Sequence, residues 1–453
     1  MTVISDYSGR SARDNVIAAI STAREHAEFN AVLSYAEERA LAIADKVDAG
    51  EITGRLTGVP FIAKDNFLTL DTPTTAASNF LAGFTAPLQA TAIEKLEAEG
   101  AICIAKANLD AFAHGGSTEN SAYGPTKNAY DKERVAGGSS GGSAVVVALG
   151  IVPFALGTDT GGSIRQPASF NNVVGIKPTY GTVSRYGVVA MASSTDTIGV
   201  LSSTVEDAET VMDILSGKDD KDMTTLPDFF APLTLEGPKK IGIIKEFMDD
   251  GVDPEVKAAT EKYAESLKAK GHSVEEVSMS LLKYALAIYY IVVPAEISSN
   301  LGRYDGIRYG NRAEASSLGE TYGLSRDQGF VAENKRRIMI GSYVLSSGYF
   351  DAYYLQAQKA RTLLVNEFNA LFENYDALIG PVAPTPAFKL GENTSDPVKM
   401  YLADIMTVPA SLAGLPAISV PAGKSEAGLP IGVQLIGARK SDSLLMAIAK
   451  DVQ

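Results

Sequence analysis

The sequence predicts an α/β protein built on one large mixed β-sheet that helices cover on both faces. Helical runs are followed by short strands that are apolar on both faces, as in the helix at 91–98 and the strand at 101–105. This order is typical of a sheet buried between layers of helices. Strands recur at both ends of the chain, on either side of a mostly helical stretch at about 280–375. We therefore expect a single domain over residues 1–453, with its functional core at about 55–205.

The N-terminal half alternates helices with strands. The expected elements are, in order, a helix after the N-cap Ser11, a helix ending at Gly50, a strand at 58–63, a helix at 91–98 and a strand at 101–105. From 137 to 199 the chain is rich in Gly, Ser and Thr but still apolar. Flexible linkers lack such buried segments, so we expect loops packed against the edge of a sheet.

The C-terminal half begins and ends with strands. The expected elements are a strand at 240–244, a helix from about 254 to 270, a strand at 272–277, helices through 280–375, and strands at 377–381, 417–421 and 431–436. No internal repeat is present. Because strands occur on both sides of the helical stretch, we expect that stretch to be an excursion from one sheet.

Composition excludes several classes of protein. The 40 basic and 54 acidic residues give a net charge of −14, a poor general platform for nucleic acid, whose phosphates dominate affinity. One cysteine and three histidines exclude a disulfide framework and argue against a metal site in this chain. The N-terminus lacks the pattern of a signal peptide, and the apolar stretch 144–157 is too short to span a bilayer. We expect a cytoplasmic protein.

The segment Gly137–Ser143, GGSSGGS, admits three interpretations. It lacks the Lys and the Ser/Thr that complete a phosphate-binding P-loop. It fits the G-x-S-x-G nucleophile elbow with Ser140 as nucleophile, but that arrangement requires a downstream histidine, and only His272, beside Gly271 at the start of a strand, is available. The third interpretation is a tight turn into a helix at Ala144.

The segment at 156–168, LGTDTGGSIRQPA, carries a second candidate site. A strand leads directly into two glycines and Ser163. Glycines allow consecutive N–H groups to converge on one point, as an oxyanion hole requires, and a serine beside them can attack an acyl carbon. Activation of that serine requires a base, and a buried lysine with a lowered pKa can serve. Lys64 follows a buried strand and is the candidate; the alternative is a solvated surface lysine.

Taken together, the segments VPFIAKDN, GGSSGGSA and GTDTGGSIRQPA resemble the amidase signature family. Lys64 and Ser139 are 75 residues apart, and Ser139 and Ser163 are 24 apart, as in that family. The resemblance implies an amidase signature fold and a Ser–Ser–Lys triad in which Lys64 is the base, Ser139 the bridging serine, joined by a cis peptide, and Ser163 the nucleophile. It replaces Ser140 as the nucleophile. The implied oxyanion donors are the backbone N–H groups of Thr160, Gly161, Gly162 and Ser163.

Four further segments resemble the glutamine-dependent tRNA amidotransferases within that family. They lie at 120–126, 178–187, 335–339 and 345–354. The resemblance covers about residues 10–450 and implies that Arg337 binds the α-carboxylate of free glutamine, that Asp404 binds its ammonium and that Tyr289 lines the pocket. The alternative for Arg337 is a basic residue on a helix surface.

This resemblance also implies partners. Glutamine is the substrate, two partner subunits complete a heterotrimer, and the partner that holds Glu-tRNA(Gln) uses ATP and Mg²⁺; no cofactor is expected in this chain. Two alternatives are a stand-alone amidase acting on another small amide and a catalytically silent scaffold subunit. Small departures from the family pattern occur at Ala136, at Asn171–Asn172 and at Thr195–Thr197, none of them in the triad.

Overall fold

The computed structural model describes residues 1–452, and its strands alternate with helices along the chain. The strands are β1 Val32–Tyr35, β2 Pro60–Lys64, β3 Ile102–Ala107, β4 Phe154–Asp159, β5 Val174–Lys177, β6 Thr197–Ser202, β7 Lys240–Ile244, β8 Ser273–Val277, β9 Ala377–Pro381, β10 Ala417–Lys424 and β11 Pro430–Gly437. Short 3₁₀ turns and one π-helical turn, Phe350–Tyr354, connect some of the elements.

The α-helices occupy the intervals between strands and most of 282–372. They are α1 Ala12–Glu25, α2 Glu37–Asp48, α3 Thr91–Ala98, α4 Gly141–Ala148, α5 Arg165–Phe170, α6 Val205–Leu215, α7 Pro254–Ala269, α8 Leu282–Asn300, α9 Leu318–Gly329, α10 Ala332–Val344, α11 Leu355–Phe372, α12 Pro397–Leu402, α13 Val408–Leu412 and α14 Asp442–Asp451. Ser11 caps α1 by accepting the Asp14 N–H, as expected.

All the strands pair into one mixed sheet. Their order is β1-β3-β2-β4-β6-β5-β10-β11-β9-β7-β8. β2 runs parallel to β3 and β4, and β7 runs parallel to β8 and β9, whereas the other pairs are antiparallel. Strands from both ends of the chain therefore share one sheet, and the predicted α/β class with a large mixed sheet is confirmed.

Helices cover both faces of this sheet because alternate strand residues enter different hydrophobic cores. Phe61 and Ala63 of β2 join a core with α3, α6, α7 and α14, whereas Ile62, between them, joins a core with α1, α2 and α4. α8, α11 and α13 form a third core with β9 and β10. Lys64 follows this alternation and lies on the face of Ile62.

Most expected elements are present, and three strands were missed. β1, β5 and β6 were not predicted. β1 and β5 are four residues long, too short to show a periodicity. β5 also lies inside, and β6 begins in, the glycine-rich stretch at 137–199 that we expected to be loops. The domain boundaries stay a prediction.

The longest apolar helix is α8, not the stretch 144–157 singled out in the sequence. With its following turn, Leu282–Arg303 is long and apolar enough to cross a membrane by length and composition, and 56% of its most apolar window is buried inside the protein. α10, α11 and α13 pack against it, which is the packing of a core helix.

Candidate active site

The sheet topology brings two of the motifs to one edge. β2 and β4 are parallel neighbours, so their carboxyl ends lie at the same edge of the sheet. Lys64 is the last residue of β2, and the loop 160–163 directly follows β4. The third motif enters at the same place, because α4 begins at Gly141 and packs on β2 and β4.

Lys64 is completely buried and surrounded by hydroxyl groups. Its Nζ lies 2.7 Å from Ser139 Oγ, 2.9 Å from Ser140 Oγ and 2.9 Å from Thr158 Oγ1. Burial lowers the pKa of Lys64 from 10.5 to about 7, although Asp110, Asp159 and Asp196 act in the opposite direction. Lys64 is therefore a buried amine that is available in its neutral form near neutral pH, and not a solvated surface lysine.

Ser139 is held by its backbone at the start of the turn into α4. The Gly138–Ser139 peptide is cis, and the Ser139 carbonyl accepts the Asp110 N–H at 3.3 Å. The Gly138 N–H donates to Gln166 Oε1 at 3.0 Å. These contacts direct Ser139 Oγ towards Lys64 Nζ.

Ser163 ends a loop whose N–H groups are unpaired. Within residues 1–452, the N–H groups of Gly161, Gly162 and Ser163 donate to no acceptor, and Ser163 Oγ forms no hydrogen bond. The Ser163 carbonyl accepts the Ser140 N–H at 3.1 Å, which ties the two serine-containing segments together. A free hydroxyl beside free N–H donors matches the requirements of a nucleophile with an oxyanion hole.

Thr407 determines the path of this loop. Its hydroxyl donates to the Gly161 carbonyl at 2.6 Å, so the N–H groups on either side are left to face the site. Gly162 has φ +146°, and a Cβ there would lie 2.2 Å from Thr407 Oγ1. Only glycine fits this position. Thr160 is fixed in turn by donating to Asp196 Oδ1 at 2.8 Å.

A buried ion pair closes the loop at its base. Arg165 Nε and Nη2 each lie 3.1 Å from an Asp159 carboxylate oxygen, and both side chains are fully buried. Arg165 also donates to Gln434 Oε1 and Ser411 Oγ, and the Ile164 N–H donates to Asp159. Burial raises the pKa of Asp159, but Arg165, together with Lys177 and the Ile164 N–H, lowers the pKa overall. Asp159 therefore stays charged, and its bonds to Arg165 and to the Ile164 N–H tie the two ends of the loop together.

Arg337 and Asp404 line one small cavity beside this loop. Arg337 is 3% exposed, which excludes the alternative of a surface residue. Its Nε donates to Glu333 Oε1 at 2.8 Å, and its guanidinium lies over the Tyr290 and Tyr401 rings at 5.2 and 5.5 Å. Nη1 and Nη2 have no acceptor within residues 1–452. They are free to receive a carboxylate.

Asp404 connects the cavity to the two loops. Its Oδ1 accepts Gln166 Nε2 at 3.3 Å, and Gln166 also holds the Gly138 N–H. Burial raises the pKa of Asp404 to about 7, against the attraction of Arg337. Gln166 therefore links the wall of the cavity to the turn that carries Ser139.

The two adjacent tyrosines have different places. A Cβ on Gly161 would lie 2.6 Å from the hydroxyl oxygen of Tyr289, so Tyr289 packs against the loop at 160–163. Tyr290 lines the Arg337 cavity. The structure thus places Tyr289 against Gly161 and brings its neighbour to the cavity.

Among residues 1–452, the structure offers no histidine partner for Ser140 as a nucleophile. Its Oγ donates to the Thr158 carbonyl at 3.2 Å and receives Lys64. His272 accepts the Lys239 N–H through Nδ1 at the start of β8, at the opposite end of the sheet.

Several residues that support the site were not predicted from the sequence. Thr407, Gln434, Glu333 and Tyr401 come from distant segments and have no motif of their own. Asp159 and Arg165 were quoted only as part of a motif; their spacing across the Gly-Gly-Ser loop was the available signal, since opposite charges at the two ends of a tight buried loop are placed to pair.

Comparisons with known proteins agree with this geometry. The amidase family model matches residues 14–446. The A subunit of glutamyl-tRNA(Gln) amidotransferase from Koribacter versatilis is 51% identical over 439 residues, covering 95% of this chain and 92% of the relative. The crystal structure of the same subunit from Thermotoga maritima superposes with a TM-score of 0.82 at 39% identity, covering 100% of this chain and 94% of the other.

A bacterial aryl acylamidase, described as an amidase signature enzyme, has the same fold. It superposes with a TM-score of 0.86 at 25% identity and covers 100% of this chain and 95% of its own. Together with the family model over most of the chain, these similarities establish the family. The chain belongs to the amidase signature family.

Proposed function

We propose that this chain is the glutaminase subunit of a glutamyl-tRNA(Gln) amidotransferase. The observation that carries the proposal is the cavity of Arg337 and Asp404, which places a free guanidinium and a carboxylate beside the loop of Ser163. An amino acid carries one charge of each sign, and this cavity offers a partner for both. Relatives about half identical over almost the whole chain carry the name of that enzyme's A subunit.

In the proposed mechanism, Lys64 and Ser139 activate Ser163. Neutral Lys64 takes the Ser139 proton, and Ser139 takes the proton of Ser163 as its Oγ attacks the side-chain amide carbon of glutamine. Negative charge develops on the amide oxygen, where the free N–H groups of the loop can stabilise it. The site holds these donors in place before the reaction, through Thr407 and the Asp159–Arg165 pair.

The intermediate then loses ammonia. The carbon–nitrogen bond breaks as Ser139 gives its proton to the leaving nitrogen, and protonated Lys64 returns a proton to Ser139. A glutamyl ester on Ser163 remains. Water then attacks this ester, with Lys64 again acting as the base through Ser139. The ester bond breaks, glutamate leaves, and the Ser163 hydroxyl is regenerated. Atoms and protons balance over the two steps, and Lys64 ends neutral.

The proposal includes partners. The B and C subunits would complete a heterotrimer in the cytoplasm, and the B subunit would hold Glu-tRNA(Gln) and use ATP and Mg²⁺ to accept the ammonia. The net charge of −14 supports this division of labour, because an acidic subunit attracts tRNA poorly.

The test is the complete reaction. The chain, co-expressed with its two partner subunits, should convert Glu-tRNA(Gln) to Gln-tRNA(Gln) with glutamine, ATP and Mg²⁺. Ser163→Ala should abolish the conversion with glutamine but leave conversion with added ammonium salt, since only the ammonia source is lost. A complex that forms no Gln-tRNA(Gln) from either nitrogen source would contradict the proposal.

The second candidate is a stand-alone amidase, because an aryl acylamidase shares the fold along the whole chain. Substrate preference separates the two candidates. The activity of a stand-alone enzyme for another amide would not depend on Arg337, whereas a glutaminase requires the Arg337 guanidinium to bind the carboxylate of glutamine.

A further inference from the structure

Two residues that line the cavity of Arg337 carry oxygen atoms without a hydrogen-bond donor in the described part of the chain. Glu119 Oε2 and Asn393 Oδ1 are both buried and have no hydrogen-bond donor within residues 1–452. Both residues line the cavity together with Arg337 and Asp404. A buried carboxylate oxygen without a donor costs free energy. Two such acceptors on residues that line one cavity indicate a ligand that brings donors.

The charges in the cavity define that ligand. Glu333 is already paired, since it accepts Arg337 Nε, an Arg336 nitrogen and the Tyr401 hydroxyl. The acids that remain for a ligand are Glu119 and Asp404. Arg337 needs the opposite kind of partner, because its Nη1 and Nη2 have no acceptor in the described part of the chain. The ligand must therefore carry a cationic donor group and a carboxylate.

Asp404 supplies only part of the negative charge. One of its oxygens accepts Gln166 Nε2, and burial raises its pKa to about 7, so a fraction of Asp404 is protonated at neutral pH. Glu119 keeps one oxygen free while the other accepts the Gly391 N–H at 2.7 Å. That bond fixes both the Glu119 carboxylate and the chain segment that carries Asn393.

We propose that Glu119 and Asn393 complete, with Asp404, the set of acceptors that binds the α-ammonium group of the amino-acid substrate. The inference rests on the proposed function and deepens it. An ammonium has three N–H donors, and the set offers Glu119 Oε2, Asn393 Oδ1 and an Asp404 oxygen. Glu119 and Asn393 determine specificity: they select an α-amino acid over an amide that has only the carboxylate.

The experiment compares two substrates in the complex with its partner subunits. Glutaramate has the amide and the carboxylate of glutamine but a hydrogen in place of the ammonium. Glu119→Gln retains an acceptor for the Gly391 N–H and removes the charge. Its kcat/KM for glutamine should fall about 10- to 100-fold, mainly through KM, the effect of a lost charge-assisted hydrogen bond, while kcat/KM for glutaramate stays within about twofold.

Two more variants complete the design. Asn393→Ala should raise KM for glutamine about five- to tenfold and leave glutaramate unchanged. Glu133→Gln is the matched control, because Glu133 is an exposed acid near the same segment whose side chain makes no hydrogen bond within residues 1–452. It should change neither substrate.

The outcomes separate the two claims. Unchanged preference for glutamine in Glu119→Gln, or an equal loss for both substrates, would overturn the inference and leave the glutaminase standing. A wild-type complex that releases no ammonia from glutamine would overturn the proposed function, and this inference with it.

Discussion

At the scale of the residue, the proposed chemistry depends on a lysine that burial has made a usable base. Lys64 has no exposed surface, and its nearest polar neighbours are the neutral hydroxyls of Ser139, Ser140 and Thr158. Within the described part of the chain, no carboxylate contacts it directly. Three aspartates act on it only from a distance, so they reduce the effect of burial without cancelling it.

The pH dependence of kcat tests this base. Burial lowers the pKa of Lys64 to about 7, so below this pH the lysine is protonated and cannot accept the Ser139 proton. At saturating glutamine, kcat should rise with pH through a midpoint near 7 and then level off. The measurement is ammonia release between about pH 5 and 9.

Asp404 requires a control, because its pKa also lies at about 7. In the proposed site Asp404 binds the substrate ammonium group, so Asp404→Asn should raise KM and preserve the rise of kcat with pH. A kcat that stays constant across the range, or that rises only near the ordinary pKa of lysine, would contradict the assignment of Lys64 as base.

At the scale of the elements, the site consists of loops that follow strands and of the residues that support those loops. The resemblance to the amidase signature family predicted that the three motifs meet. The structure gives the physical reason for two of them, because β2 and β4 are parallel neighbours whose carboxyl ends lie at one edge of the sheet. The supports of those loops were not predictable. Thr407 lies just before α13, far along the chain, and an isolated threonine has no pattern that distinguishes it from a surface hydroxyl.

Thr407→Val tests the support of the oxyanion loop. Valine keeps the shape of threonine but removes the donor to the Gly161 carbonyl. The carbonyl is left unpaired, and the loop can turn away its N–H donors. We expect kcat to fall about fivefold with a small change in KM, since one loop hydrogen bond contributes about 1 kcal/mol.

The control is Thr362→Val on the exposed side of α11, where the hydroxyl donates to the Gln358 carbonyl of its own helix. It should leave kcat unchanged. Equal effects of the two substitutions, or a change confined to KM in Thr407→Val, would count against a role of Thr407 in the oxyanion loop.

At the scale of the whole molecule, one sheet connects the first motif with the last strands. β11 carries Gln434 into the centre, where its Oε1 accepts Arg165 Nη1 and its Nε2 donates to the carbonyls of Pro381 and Met406. The fold class was predictable because buried strands and helices alternate along the chain. The order of the strands was not, since it depends on pairings between segments more than 200 residues apart.

Gln434→Leu tests this long-range connection. It removes the acceptor of a buried arginine and the donor of two buried carbonyls, so the free energy of unfolding should decrease by about 1–3 kcal/mol. The glutaminase rate should fall as well, because Arg165 then loses a contact that orients the loop. Thermal unfolding and ammonia release measure the two effects.

Gln356→Leu is the matched control, because Gln356 is exposed on α11 and makes a single long hydrogen bond. Its unfolding temperature should equal that of the wild type. If Gln434→Leu unfolds at the wild-type temperature, the connection between β11 and the loop contributes nothing to stability.

Ammonia release from glutamine tests most directly whether this chain is the glutaminase subunit of the amidotransferase. The measurement compares the wild type, Ser163→Ala and Arg337→Ala, each with and without the partner subunits and Glu-tRNA(Gln). We predict that both variants lose activity, Ser163→Ala through kcat and Arg337→Ala through KM. We also predict that the partner subunits together with Glu-tRNA(Gln) stimulate the wild type. Loss in Ser163→Ala alone, with no response to partners, would contradict the amidotransferase and leave an amidase for a different amide.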